Sequence, residues 1–174
     1  MLIFLTVTLA VIFFWIAAPQ ARTRITDIKW LDRVPGKWLS LHAGVDLIDP
    51  ALKARYPEGL SLDLSNTSRY LPAANQTYDT VFLVLAAHQC NRAETRERLF
   101  IEIQRVLKDS GRVILVEHLR DARNLAVFGP AAFHFLSLNA WLKTTRPAGL
   151  TVLKDQPLTP LVHALVFAKQ CALR

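Results

Sequence analysis

Cysteine is scarce in this chain of 174 residues, and glycine nowhere clusters. The two cysteines, Cys90 and Cys171, lack metal-ligand spacing and are too few for a disulfide framework, so no metal is expected. No P-loop, GxGxxG, HExxH or CxxC occurs, which removes the phosphate, dinucleotide and zinc chemistries those motifs carry. No block of five or six like charges appears, and aromatics do not interleave with basic residues. The net charge of +7 is therefore spread thinly, and nucleic acid is not an expected partner. Internal repeats and low-complexity stretches are absent as well.

What is present begins with an apolar run, Leu2 to Ala18, ended by Pro19. As a helix it would rise about 25 Å, near the lower limit for crossing a bilayer. No Lys or Arg precedes it, while Arg22, Arg24 and Lys29 follow. The charge bias predicts a membrane anchor over residues 1–19 with the remaining chain in the cytoplasm. Two other readings stay open: a cleaved signal peptide ending near Ala17-Ala18-Pro19-Gln20-Ala21, or a buried helix of a larger domain. Residues 20–37 read as a basic connector, and 38–174 as one domain long enough for its own core. Trp30 and Trp38 suit either a membrane interface or core packing.

Alternation predicts short strands at Trp38–His42 and Leu60–Leu64. A further strand is expected at Val45–Ile48, stopped by Asp49-Pro50, and a helix over Ala51–Tyr56 with Pro50 in its first turn. Ser65 to Thr77 reads as loop. Thr80–Ala86 is a continuous apolar strand of the kind buried on both faces of a parallel sheet. Arg92–Lys108 is an amphipathic helix, with Gly111 suited to its C-terminal cap. Val113–Val116 is the next strand. Asn124–Pro130 reads as loop, Ala131–Thr145 as helix, and Leu150–Leu153 with Leu161–Ala168 as a closing antiparallel hairpin.

The stretch from Tyr78-Asp79 through the apolar strand, Ala87-His88-Gln89-Cys90, Arg105-Val106-Leu107-Lys108-Asp109-Ser110-Gly111 and Val113–Val116 to Glu117-His118 is one βαβ unit. Its polar residues collect past the strand ends, where open α/β sheets bind ligands. This segment resembles the second half of class I S-adenosylmethionine-dependent methyltransferases, nearest to the ubiquinone-methylase-like small-molecule type. Asp109-Ser110-Gly111 stands where the family has Pro-Gly-Gly. The resemblance covers roughly Leu47 to Lys169. It implies an α/β fold: a three-layer Rossmann-like methyltransferase sheet, mostly parallel with an antiparallel C-terminal strand. It also implies S-adenosylmethionine as cofactor.

The same resemblance supplies the candidate residues. Asp49, at the end of the expected strand Val45–Ile48, is placed as the acceptor for the cofactor ribose; by itself, Asp-Pro also suits a helix N-cap or turn. Asp63 is placed against the adenine amine, with Ser65 and Asn66 competing. Ala86 and His88 line the loop between cofactor and acceptor. A neutral His88 can accept a proton from a hydroxyl or acidic carbon; equally, it can be a histidine bonded to nearby backbone. Glu117 and His118 end the next strand in a dense ionisable group with Arg120 and Asp121. His134, on an apolar helix, either closes the pocket or is a core residue.

One part of the family pattern is missing. No glycine-rich loop follows the first strand; Ser40-Leu41-His42-Ala43-Gly44 has a single glycine. The N-terminal half is thus expected to be incomplete, either degenerate or truncated. Two functions follow. One is methyl transfer to a small, lipophilic acceptor at the cytoplasmic membrane face, with residues 2–18 in the membrane. The other is a catalytically inactive methyltransferase-like binding or scaffolding domain.

Overall fold

A computed structural model describes residues 24–33, 35–44, 46–66, 70–90 and 92–170. The apolar run at 2–18 lies outside them. Six strands form one sheet: β1 (Trp38–His42), β2 (Gly59–Asp63), β3 (Tyr78–Val84), β4 (Leu107–His118), β5 (Leu150–Pro157) and β6 (Val162–Lys169). Their order is β2-β1-β3-β4-β6-β5. The first four run parallel, and β6 is inserted antiparallel between β4 and β5. The expected closing hairpin is therefore present. Among the described residues, the N-terminal half has two strands where the doubly wound order 3-2-1-4-5-6 has three.

Side-chain alternation explains why this is a three-layer structure. Leu39, Leu41, Val81, Leu83, Val113 and Leu115 point to one face. There they meet Phe100 and Ile103 of helix α2 (Ala93–Val106) and Trp141 of helix α4 (Leu138–Thr145). Trp38, Phe82, Val84, Ile114 and Val116 point to the other face, where Ile25, Ile28, Ile48 and Leu52 cover them. Leu52 belongs to helix α1 (Asp49–Arg55). A strand with both faces buried must be apolar throughout. Each large side chain so buried contributes about 1.5–3 kcal/mol.

Ile25, Ile28, Trp30 and Leu31 pack on this second face. Arg112, almost fully buried, donates to Asp32 at 2.8 Å, and the Thr80 hydroxyl donates to the Pro35 carbonyl at 2.7 Å. Trp38 is a core residue whose indole N–H donates to Tyr56 O at 2.7 Å.

Four local expectations are corrected. The expected strand at Val45–Ile48 does not form; Val45 lies outside the described residues, and 46–48 are a turn entering α1. The cause is Asp46. Its carboxylate accepts the amides of Ile48 (3.0 Å) and Asp49 (2.9 Å) and the Ser61 hydroxyl, in the manner of an N-cap. Gly111 does not cap α2, which passes into β4 at Leu107 with extended backbone. The expected loop 124–130 is largely helix α3 (Ala122–Phe128), since Asp121 accepts the Asn124 amide at 2.8 Å. Gly129, at φ +56° and ψ −136°, ends α3 in a conformation open to glycine. The expected helix 131–145 is broken into a 3-10 turn, Gly129–His134, and α4, which starts afresh where Ser137 accepts the Ala140 amide.

Candidate functional site

The parallel register lines up the strand ends. His42 of β1 lies opposite Asp63 of β2, and Val84 of β3 opposite Val116 of β4. The segments just past these ends make one edge, with His118 joined to Val162 of β6 beyond.

Its best-defined element is a pair. Glu117 is only 1% exposed, and its carboxylate accepts the His88 amide at 3.2 Å and meets His88 Nδ1 at 2.9 Å. A carboxylate only accepts, so Nδ1 carries the hydrogen, and in the neutral ring Nε2 keeps its lone pair. The Glu117 hydrogen bond raises the His88 pKa above the ordinary value; burial opposes this, and the attraction of the charge adds to it. Leu85 prepares the geometry. It sits at φ +50°, a left-handed conformation uncommon for a bulky residue, and its amide donates to Val116 O at 2.9 Å. The chain is thereby turned out of β3 so that Ala87–Gln89 forms a 3-10 turn facing β4. Ala86 is fully buried at the start of that turn. Cys90 follows it; burial pushes its thiol up, so it remains protonated and a poor nucleophile.

His118 has a different environment. Burial lowers its pKa, outweighing the Leu161 carbonyl that its Nδ1–H meets at 2.9 Å and that favours the protonated ring. It stacks on Phe135 at 5.0 Å and meets the edge of Phe128 at 5.2 Å. His134 is exposed at the end of the 3-10 turn.

The two acids expected to meet the cofactor sit on different elements. Asp49 opens α1 rather than ending a strand; one oxygen pairs with Lys53 at 2.9 Å, and Oδ1 is buried with no hydrogen-bond partner. Asp63 is the acid at a strand end beside β1. Its carboxylate accepts the Ser65 amide at 2.8 Å, the Ser65 hydroxyl, and the Gly44 amide at 3.4 Å. The Ser65 bonds, hydroxyl first, hold it below the usual carboxylate range. Gly44 is exposed at φ +80°, with open space where a Cβ would sit. His42 Nδ1, like Asp49 Oδ1, is buried without a partner.

Sequence reasoning missed His42, Asp46 and Leu85. An Asp three residues ahead of Asp49-Pro50 was the available signal for the Asp46 cap. Nothing in the sequence marks the left-handed Leu85. Among the described residues, no group of three His, Cys, Asp or Glu side chains could hold a metal ion.

Residues 30–115 match the family model described as a methyltransferase domain. The chain belongs to the class I S-adenosylmethionine-dependent methyltransferase family. Solved methyltransferases share the fold of this domain. An O-methyltransferase family 2 protein from Planctomyces limnophilus, solved with apigenin, is 16% identical with a TM-score of 0.63, covering 92% of this chain and 61% of its own. A SAM-dependent methyltransferase from Aquifex aeolicus is 14% identical (TM-score 0.65; 86% and 97% covered). A possible histamine N-methyltransferase from Thermotoga maritima is 17% identical (TM-score 0.62; 94% and 95% covered). The methyltransferase domain thus spans less than two thirds of the Planctomyces protein and nearly all of the other two. No curated protein matches it.

Proposed function

We propose that this domain transfers a methyl group from S-adenosylmethionine to a small, lipophilic acceptor at a membrane. The observation that carries this reading is the His88–Glu117 pair at the ligand edge of the sheet, on the same edge as an anionic Asp63 and an open Gly44 turn. The residues fit the cofactor. Asp63 offers a carboxylate to a ribose diol, taking the role the sequence assigned to Asp49. Gly44 lets the backbone approach closely, and His42 Nδ1 and Asp49 Oδ1 are polar atoms awaiting partners. Ala86 and the 3-10 turn bearing His88 wall the pocket between cofactor and acceptor. When bound, S-adenosylmethionine supplies an electrophilic methyl group.

The remaining work falls to the chain. His88 Nε2 takes the proton of an acceptor hydroxyl or acidic carbon, and Glu117 orients the ring and stabilises its protonated form. His118, neutral against Phe128 and Phe135, forms an apolar wall. Residues 2–18 anchor the chain with the domain on the cytoplasmic side, where the cofactor is made. The alternative, an inactive binding or scaffolding domain, draws on the single glycine after β1.

Calorimetric titration of the detergent-solubilised full chain with S-adenosylmethionine and its demethylated product decides between them. Micromolar binding that weakens in Asp63→Ala supports the transferase. No heat at millimolar ligand from folded protein overturns it and leaves the scaffold.

A further inference from the structure

The segment after His118 is unusually exposed for its composition. Within residues 122–148 an 18-residue window reaches a mean hydropathy of 1.4, enough for a membrane span by length and composition alone. They do not form one straight helix, being divided into α3, a 3-10 turn, α4 and a second 3-10 turn at Arg146–Ala148. The α4 end is tied down by Trp141, which is fully buried against Phe100. The other end is not. Phe133 is 66% exposed and Leu125 36%, with Ala126, Pro130 and Ala131 exposed around them. The charges nearby are of one sign. Arg120, Arg123, Lys143 and Arg146 are exposed, and no Asp or Glu occurs from Ala122 to Leu153. The nearest acid, Asp121, is engaged as the α3 cap.

The position of this excursion supplies the second argument. Buried Asn124 of α3 donates to the Leu161 carbonyl at 3.1 Å, the same carbonyl that His118 holds. The neighbouring Leu158 and Pro157 line a cleft of about 200 Å³ together with Arg24, Asp27 and Trp30. Arg24 is six residues past the apolar run 2–18. Arg24, the first described residue, therefore lies beside the same strand ends that carry α3. An apolar tip and a basic collar share one edge of the sheet with Arg24, as an interfacial segment facing acidic lipid requires.

We propose that Ala122–His134 seats in the headgroup layer of an anionic bilayer, with Phe133 and Leu125 among the acyl chains and Arg120 and Arg123 on lipid phosphates. The contact places the His88–Glu117 edge against the membrane, so that an acceptor reaches it without crossing water. This rests on the lipophilic-acceptor reading above.

The test uses the full chain in nanodiscs of phosphatidylcholine, with or without phosphatidylglycerol. A photoreactive p-benzoylphenylalanine replaces Phe133 or, as the comparison, Ile101, which is 47% exposed on α2. The expected result is lipid adducts at position 133 several-fold above those at 101, rising with phosphatidylglycerol and falling several-fold in the R120E/R123E background. Equal yields at the two positions overturn the proposal, as do adducts at 133 to a second copy of the chain alone. S-adenosylmethionine titration of the same nanodiscs separates the two readings. Binding without lipid adducts sinks the membrane seat and keeps the transferase; adducts without binding do the reverse.

Discussion

The imidazole of His88 is the most consequential side chain here, because its proton affinity is set by one neighbour. A base whose pKa is raised works only above that value, so activity should climb with pH through an inflection higher than the ordinary 6.5. Replacing Glu117 by Gln removes the first cause of the rise. The inflection should then move to lower pH, which NMR titration of the His88 ring would read directly, with no need for an acceptor. His88→Ala should lower kcat by roughly 10²–10⁴-fold while leaving cofactor affinity little changed. The same pair bears on stability. Folded His88 holds its proton more tightly than the unfolded chain does, so its contribution is full below about 6.5 and is lost as pH rises through the raised folded value. The difference in urea midpoint between wild type and Glu117→Gln should accordingly narrow from acid to alkaline pH; a gap that widens would contradict the sign. Asp63→Asn should weaken S-adenosylmethionine binding by roughly ten- to a hundredfold, since a charged acceptor becomes a neutral one.

Strands and helices show where local pattern was a sufficient guide. β3, α2 and β4 were legible because their apolar spacing matches the faces they bury: Val81 and Leu83 to one side, Phe82 and Val84 to the other. The same reading added a strand that does not form. Val45–Ile48 has strand composition, yet Ile48 is wanted as a plug beneath α1, and the Asp46 carboxylate turns the chain two residues earlier. The strand expected at Leu60–Leu64 forms as Gly59–Asp63, so the strand-end carboxylate is Asp63 and not Asp49. Gly59 is admitted there because a Cβ would lie 2.0 Å from the Trp38 ring. The excursion after β4 was illegible for a different reason: its helix starts depend on side-chain caps at Asp121 and Ser137, and Gly129-Pro130 reads equally as loop. Ser137→Ala should destabilise by about 1 kcal/mol. Truncating Phe82, which has no exposed surface, should cost about 3–5 kcal/mol, both measured by denaturant melts.

Across the molecule, the N-terminal stretch is part of the domain's fabric. Ile25 and Ile28 cover the second face, and the Asp32 carboxylate accepts from both Arg112 and Lys154. Arg112→Ala removes the only donors to Asp32 Oδ1 and to the Arg33 carbonyl among the described contacts. Residues 24–37 should then become susceptible to limited proteolysis before the sheet melts.

The inserted β6 has a consequence for how the sheet is assembled. β3 and β4 are joined through one helix and can meet early, whereas β4 acquires its second neighbour only when Val162 returns to His118 from far along the chain. Such long-range closure is slow. Until it happens, Val113-Ile114-Leu115-Val116 presents a bare apolar edge, the kind of surface that recruits other chains. Refolding yield should therefore fall with protein concentration more steeply than native stability alone would demand. The last step of folding, rather than the native fold, is where this protein is most exposed to aggregation.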